Sequence, residues 1–413
     1  MAKLQPVRGT HDLLPEEARR HQHVIATFRD LAERYGYGQI DTPIFEFTEV
    51  FDRSLGETTD VVTKEMYTFQ DRGGDSLSLR PEPTAGIARA FISGGLAQLL
   101  PLKFYAYGPM FRHERPQKGR LRQFHQLDIE VLGVPEPQAD IEVIALGAHL
   151  LEVLGVRQKV TLELNTLGDT ESRTAYRDVL VEYFAGHEAN LSEDSRMRLR
   201  RNPLRILDSK DEGDRRIIVN APQMGDYLNQ TSKDFFQKVR DGLDALGQPY
   251  TVNDRLVRGF DYYTHTAFEF TTTLLGAQSA VIGGGRYDHL IEYMGGPSTA
   301  GIGWGCGIER LVMLLDEPPP PERPVAIIPV GAEGETEALV LTQQLRRAGV
   351  KTDLAFRGNV GKRMKQANKT NARIAVLIGG DELSRGVVSV RDLDTGEQAE
   401  VPRDTVVAYL GAK

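Results

Sequence analysis

Four consecutive prolines within EPPPPERP, residues 317–324, constrain this chain more than any other feature. Each proline fixes its own φ and lacks a backbone N–H, so the run can neither continue a helix nor join a sheet ladder. It reads instead as a stiff, extended spacer. The 413 residues are too many for one ordinary domain, and the spacer divides them into a large part, 1–322, and a small part, 323–413. In the small part, PVAIIPVG, VKTDLAF and RIAVLIGG read as strands. They alternate with a helix around 334–348 and a basic helix near 360–371, which predicts an α/β domain.

The large part opens with a helix started by Pro15 and closed by Gly36, its apolar face carrying Val24, Ile25, Phe28, Leu31, Ala32 and Tyr35. Pro43 interrupts the extended segment QIDTPIF and suggests an edge or bend. Residues 102–112 and 120–133 read as two long strands joined by HERPQKG. A polar helical insertion is expected over about 171–222. Strand patterns resume at 256–271 and 278–284, and a helix follows 305. The large part is therefore expected to be α+β, a mostly antiparallel sheet with helices.

Composition sets limits on function. Cys306 is the only cysteine, which excludes an internal disulfide and a cysteine-built zinc cage. The nine histidines are scattered without an HExxH pair, so no structural metal is expected. No apolar run is long enough to span a membrane, and MAKLQPVRGTHD lacks a signal-peptide core, so a soluble cytoplasmic protein is expected. The net charge of −8 conceals an asymmetry: residues 323–413 hold 14 Lys/Arg against 11 Asp/Glu, while the rest hold 36 against 47. Between Lys351 and Arg373 seven cations face one anion, Asp353. Such a patch suits phosphate binding, although a solvated helix face would look the same.

No GxxxxGK[ST] loop is present, and GGGR at 283–286 does not fit a GxGxxG turn, so a nucleotide would need another kind of site. The strand Arg122–Gly133 puts Leu127, Ile129 and Val131 on one face and Arg122, Phe124, Gln126, Asp128 and Glu130 on the other. An edge strand with one wet face would show the same alternation. However, Arg112, Arg115, Arg120 and Arg122 crowd the adjoining turn, as in a cleft holding phosphates at one end and a cation at the other. LRPEPT (79–84) presets Glu82 and Thr84 between prolines, or is a plain turn. LVRGFDYYT (256–264) combines Arg258, Gly259, Tyr262 and Tyr263, and adjacent tyrosines on a strand face opposite ways unless a bulge re-aims one. GGGRYD (283–288) lets backbone approach a ligand closely. GIGWGCGIER (301–310) puts Arg310 in the first turn of a helix, where a cation costs about 0.3–1 kcal/mol unless an anion sits nearby.

These blocks resemble a known family. FRHERPQKGRLRQFHQ (111–126) resembles motif 2 of the class II aminoacyl-tRNA synthetases, GIGWGCGIER resembles motif 3, and the N-terminal helix with the Pro43 segment resembles motif 1, the dimer-forming element. LVRGFDYYT and GGGRYD resemble the signature blocks of the histidyl-tRNA synthetase family, and the small part resembles the anticodon-binding domain of class IIa enzymes. The resemblance implies an α+β class II synthetase-like antiparallel sheet with flanking helices, a helical insertion and a C-terminal α/β domain. It also implies ATP-dependent activation of L-histidine, transfer to tRNA(His), a homodimer and Mg2+ accompanying ATP, with no metal ligand singled out.

By the same resemblance, Glu82, Thr84 and Gln126 would hold the α-amino group of histidine. Glu130 and Tyr263 would grip the imidazole, with Tyr262 in the same histidine-binding set. Arg112 would bind the α-phosphate, Phe124 would stack on adenine, and Arg120 and Arg310 would meet the outer phosphates. Arg258 would sit between the carboxylate and the α-phosphate, making Arg258 and Arg112 the catalytic pair. Arg115 and Gln117 are candidates for the first base pair of the tRNA, and Lys362, Arg363 and Lys365 for contacts to its anticodon arm. Two rival readings share the scaffold: a catalytically silent paralogue serving as regulatory subunit of ATP phosphoribosyltransferase, and a non-enzymatic RNA-binding protein. The first lacks an anticodon domain, and the second has no need of a buried Glu130 facing Arg112.

Overall fold

The computed structural model describes residues 3–411 except 57, 58, 60, 118, 259–261, 277 and 278. Gly259, singled out above, lies outside the described residues. The chain forms two compact units, Met1–Pro318 and Pro319–Lys413, which meet within the proline run.

The first unit is built on an eight-stranded sheet. Its order is Gly38–Gln39, Leu102–Phe111, Gln123–Leu132, Gly301–Gly307, Ala280–Arg286, Thr264–Thr271, Thr161–Thr166 and Thr251–Val252. The two short outer strands run parallel to their neighbours, and the six between them are antiparallel. Alternation decides which face is covered. Leu127, Ile129 and Val131, with Ile302, Trp304 and Cys306 and with Phe268 and Phe270, form one core with helices Pro15–Arg34, Pro137–Val153, Gln230–Ala245 and Ile308–Leu314. The opposite face of the same strands carries the polar residues and glycines. A three-stranded sheet (Phe45–Phe47, Ser76–Leu79, Thr68–Gln70, in that order) and helices Thr48–Leu55 and Thr84–Ser93 adjoin it through a second apolar cluster.

Strands Thr264–Thr271 and Ala280–Arg286 differ from the expected 256–271 and 278–284. Residues 256–258 leave the sheet because other groups hold them: the Asn165 side chain donates to the Leu256 carbonyl at 2.9 Å, and Arg258 pairs with Glu269. Tyr262 and Tyr263 thus precede the strand, and both rings turn to the same side, 4.6 Å apart. The insertion carries helices Thr170–Ala185, Glu193–Arg201 and Glu212–Ile218 and a core of its own, including Tyr176, Leu180, Phe184, Leu199 and Ile206. Asp214 ties it together by accepting from the hydroxyls of Ser192, Ser195 and Ser209.

In the second unit, strands Thr352–Leu354, Val325–Pro329 and Ile374–Ile378 are parallel. Two further strands, Val387–Asp392 and Gln398–Pro402, extend the sheet antiparallel, and helices Glu333–Arg347 and Val360–Lys369 pack on it.

One buried ion pair locks helix to sheet in the first unit. Arg286, at the end of its strand, and Asp140, in helix Pro137–Val153, are both fully buried and paired. The guanidinium also donates to the Val134 and Glu136 carbonyls at 3.0 and 3.2 Å. Removing one partner of such a pair costs about 3–5 kcal/mol, whereas replacing both by apolar groups is often neutral. Asp140→Ala should therefore lower the urea midpoint sharply, and Asp140→Leu/Arg286→Met should recover most of it. Equal losses in both variants would show that the pair's charges are not what is costly to separate.

Candidate active site

The polar face of the large sheet floors a cavity of about 990 Å³. Glycines make the floor. On strand Gly301–Gly307 the helix-facing Ile302, Trp304 and Cys306 alternate with Gly301, Gly303, Gly305 and Gly307. A Cβ at Gly303 would collide with the Glu130 carboxylate, one at Gly305 with the Gln126 amide, and one at Gly283 with the Arg258 guanidinium. Glycine is required here by close approach rather than by backbone angle.

One end of the cavity is acidic and aromatic. Glu130, 2% exposed, accepts from Thr84 Oγ1 at 2.6 Å and from the Tyr287 hydroxyl. Burial pushes its carboxyl up to about 8 despite these two donors, and Glu82 adds to the rise. The Glu82 carboxylate accepts from the backbone N–H groups of Thr84 and Ala85 at 2.8 and 2.7 Å. Those bonds start helix Thr84–Ser93, and they only partly offset the upward push of burial on Glu82. Gln126 donates its amide to Asp128 at 2.6 Å. Burial also raises the phenols of Tyr262, Tyr263 and Tyr287, keeping them neutral donors.

The other end is cationic. The Arg112 guanidinium donates from Nε to the Pro81 carbonyl at 2.9 Å and lies 5.3 Å from the centre of the Phe124 ring. Arg120 pairs with Glu114. Arg310, in the first turn of Ile308–Leu314, donates to the Gly119 and Ala280 carbonyls at 3.2 and 2.6 Å. Burial pulls the Arg310 guanidinium below its usual range, and Arg120 and Arg112 pull it further. Three arginines that raise one another's cost are a site for a polyanion. Arg258 stands between the two ends, paired with Glu269 and 5.5 Å from the Tyr263 ring centre, its Nε buried without a partner.

Glu82, Thr84, Arg112, Arg120, Phe124, Gln126, Glu130, Arg258, Tyr262, Tyr263 and Arg310 all line this one cavity. Arg115 and Gln117 do not, being exposed at the hairpin tip, where Gln117 and Arg120 exchange backbone hydrogen bonds. Lys362 and Lys365 are exposed on helix Val360–Lys369. Arg363 of the same helix departs from expectation: it is 7% exposed, bonded to the Pro329 carbonyl and paired with Glu335 at 3.2 Å. Helical spacing turns it inward, which leaves Lys362 and Lys365 as the outward cations of that trio.

Sequence reasoning passed over Tyr287 and Glu269, and it placed Asp128 on the polar face without giving it a role. Tyr287 stood inside GGGRYD, and parity with Gly283 and Gly285 places it on the cavity side. Among the described residues, His21, His125 and Glu309 form a group able to hold a metal ion. Both Glu309 oxygens, however, already accept from the His125 backbone N–H at 2.9 and 3.0 Å.

The family model described as Histidyl-tRNA synthetase matches residues 9–311, and the one described as Anticodon binding domain matches 324–413. A histidine–tRNA ligase of Rhodospirillum rubrum is 61% identical over 412 residues, covering 99% of both chains. The chain belongs to the histidyl-tRNA synthetase family. The ligase of Gluconacetobacter diazotrophicus is 55% identical, again over 99% of both chains. Among solved structures, apo histidyl-tRNA synthetase of S. aureus superposes with a TM-score of 0.84 at 34% identity, with 100% of each chain covered. A Bacillus halodurans protein titled as an ATP phosphoribosyltransferase regulatory subunit/histidyl-tRNA synthetase has a TM-score of 0.65 at 24% identity, covering 92% of this chain and 99% of its own, and shares the fold. Full-length similarity to the ligases and the match at 324–413 favour the ligase reading over the regulatory one.

The raised Glu130 carboxyl has a thermodynamic consequence in this family member. Unfolded, the group titrates near 4.5; folded and unliganded, near 8. Between these values the folded chain holds a proton that the unfolded chain has released, so stability falls as pH rises through the window. Each tenfold difference in proton affinity is worth about 1.4 kcal/mol. Glu130→Gln removes this dependence, so its Tm relative to wild type should climb between pH 5 and pH 8. A difference that stays flat across the window would show that Glu130 is not held protonated.

Proposed function

We propose that the cavity joins L-histidine to ATP, releasing pyrophosphate, and then passes the histidyl group from histidyl-adenylate to tRNA(His). The observation that carries this reading is the polarity of one cavity: buried carboxyls and phenols at one end, three arginines at the other, and Arg258 between. A zwitterionic amino acid with a ring of two distinct nitrogens fits the first end, and a triphosphate fits the second.

Glu130 and Tyr263 hold the imidazole, with Tyr262 beside them and Tyr287 steadying Glu130. Gln126, Thr84 and Glu82 receive the α-ammonium; Thr84 keeps lone pairs free because its hydroxyl donates to Glu130. Phe124 offers its ring to adenine, Arg112 binds the α-phosphate, and Arg120 and Arg310 take the outer phosphates. The histidine carboxylate attacks the α-phosphorus, and the bond to pyrophosphate breaks. Arg258 and Arg112 neutralise the charge gathering on the α-phosphoryl oxygens, which is catalysis by position and electrostatics without a covalent enzyme intermediate. Mg2+ enters with ATP as part of the substrate; Glu65, Glu114 and Glu269 put carboxylate oxygens beside the arginines, a donor type that suits it.

The enzyme acts as a cytoplasmic homodimer. No helix among the described residues is long and apolar enough to cross a membrane. Ile44, Phe45, Phe47 and Phe69, each 44–53% exposed on or beside the three-stranded sheet, supply an apolar face for a second copy. Arg115 and Gln117 approach the first base pair of the tRNA, and Lys362 and Lys365 approach its anticodon arm.

The deciding experiment is ATP–pyrophosphate exchange, which should require histidine and ignore every other standard amino acid. Exchange with no amino acid preference would end the proposal. Arg258→Ala should slow exchange about 100-fold or more, since one preorganised charge contact at a transition state is worth about 2.7–4 kcal/mol. Because that change strands Glu269, Arg258→Ala/Glu269→Gln should restore Tm but not the rate. Wild-type exchange in either variant would remove Arg258 from the mechanism.

Phosphate contacts also make binding salt-dependent through counterion release. Lys362→Gln/Lys365→Gln should weaken tRNA binding, flatten its salt slope and leave exchange untouched. Arg363→Gln should instead lower stability. An unchanged salt slope in the lysine double variant would place the anticodon arm elsewhere.

A further inference from the structure

Between Gln126 and Glu130, on the same face of strand Gln123–Leu132, stands Asp128. It is 1% exposed and does not reach the cavity surface, whereas both neighbours do. Its Oδ1 accepts from Gln126 Nε2 at 2.6 Å, and its Oδ2 is buried without a hydrogen-bond partner. Gly305 closes over the pair: a Cβ there would collide with the Gln126 amide and lie 3.0 Å from Asp128 Oδ1. The amide and the acid thus lie together against the backbone of Gly305.

A glutamine side chain is ambivalent, because its amide presents two N–H donors at one end and a carbonyl acceptor at the other. An ammonium group can use only the acceptor. An amide free to rotate would offer its donors half the time, setting N–H against N–H. With one Nε2 hydrogen donated to Asp128, the amide is held in one orientation, and Oε1, at its opposite end, is turned away from Asp128 as the acceptor for a ligand.

We infer that Asp128 is a positioning residue, fixing the Gln126 amide so that its oxygen faces the α-ammonium of the bound amino acid. The inference rests on the reading of Gln126 given above and adds the residue through which that side chain is made selective for an amine. What Asp128 supplies is an acceptor oxygen rather than a charge. Burial, with Glu130 and Glu82 adding to it, raises its carboxyl well above the usual range, and a neutral acid still accepts at its carbonyl oxygen. The same logic operates where outer partners orient the ligands of a metal.

Imidazolepropionate, which is histidine without its amino group, makes the test specific because it does not use the Gln126 oxygen. The KM for histidine and for ATP in pyrophosphate exchange, the inhibition constant of imidazolepropionate and Tm are measured for wild type and four variants: Asp128→Ala, Asp128→Ser, Asp128→Asn and Gln126→Ala. Asp128→Ala frees the amide and should raise the histidine KM about tenfold or more, the scale of a hydrogen bond to a charged group. The ATP KM and the imidazolepropionate constant should stay within about twofold, since the loss is confined to amine binding. Asp128→Asn keeps an acceptor but adds donors that can turn the pair round, so its histidine KM should lie between those of wild type and Asp128→Ala. Asp128→Ser, too short to reach the amide, gives the same readout should the alanine variant fold poorly. Parallel rises in all three constants, or an unchanged histidine KM, would overturn the inference. A rise in Gln126→Ala without one in Asp128→Ala or Asp128→Ser would overturn the role of Asp128 alone. No rise in Gln126→Ala would overturn the reading of Gln126 itself.

Discussion

The close packing of Glu130 over Gly303 is the constraint around which the site is organised. Strand Gln123–Leu132 and strand Gly301–Gly307 run antiparallel with Glu130 opposite Gly303 and Asp128 opposite Gly305. Side chains alternate along both, so the residues that bury one face in the helical core force the others onto the cavity face. Carboxyls there can lie flat on the neighbouring strand only because its cavity face carries glycines alone. A substitution larger than glycine would lift Glu130 away from Thr84 and Tyr287, the two donors that hold it. The apolar core and the polar floor are thus one pattern seen from two sides.

That floor is costly when empty. Burial holds the Glu130 carboxyl up near 8, while Arg310 is pulled down by burial and by Arg120 and Arg112. Neither arrangement helps the fold, and like charges set together in a cavity do so at the expense of stability. Both would be relieved by a ligand of opposite polarity at each end, as the proposed seating of an ammonium and imidazole over the acids and a triphosphate among the arginines supplies. Stability given up locally is the source of selectivity, because a ligand with only one of those charges relieves only one end.

The fold class was legible because it rests on periodicity. Two-residue alternation in 122–133, the apolar face of 15–35 and the strand–helix alternation after the prolines are local signals, and each corresponds to an observed element. Less legible was anything set by a distant partner. Residues 256–263 carry strand-like composition, yet Asn165 and Glu269 hold Leu256 and Arg258 off the ladder. Arg363 looked like one more cation in a basic helix, and only the position of the Pro329 carbonyl turns it into a buried strut. The meeting of His21, His125 and Glu309 joins residues separated by up to 288 positions, which no spacing rule detects.

Arg258 and Arg286 show how far parity alone can be pushed. Both are arginines in glycine-containing blocks, GFDYYT following one and GGG preceding the other. Gly283 and Gly285 face the cavity, so Tyr287 must also face it, and Gly284 and Arg286 must face the helices. A cation facing an apolar core demands a carboxylate there, and helix Pro137–Val153 supplies one in its first turn, Asp140. Arg286 is thereby committed to holding the sheet against its helices, with no capacity left for a ligand. Arg258 lies off the ladder, where parity has no say; its direction is set by Glu269, which shares the cavity face with Glu163 across the sheet. The same residue type thus serves as a structural tie in one block and as a cavity cation in the other. What separates them is whether the backbone is still in register with the sheet when the arginine is reached.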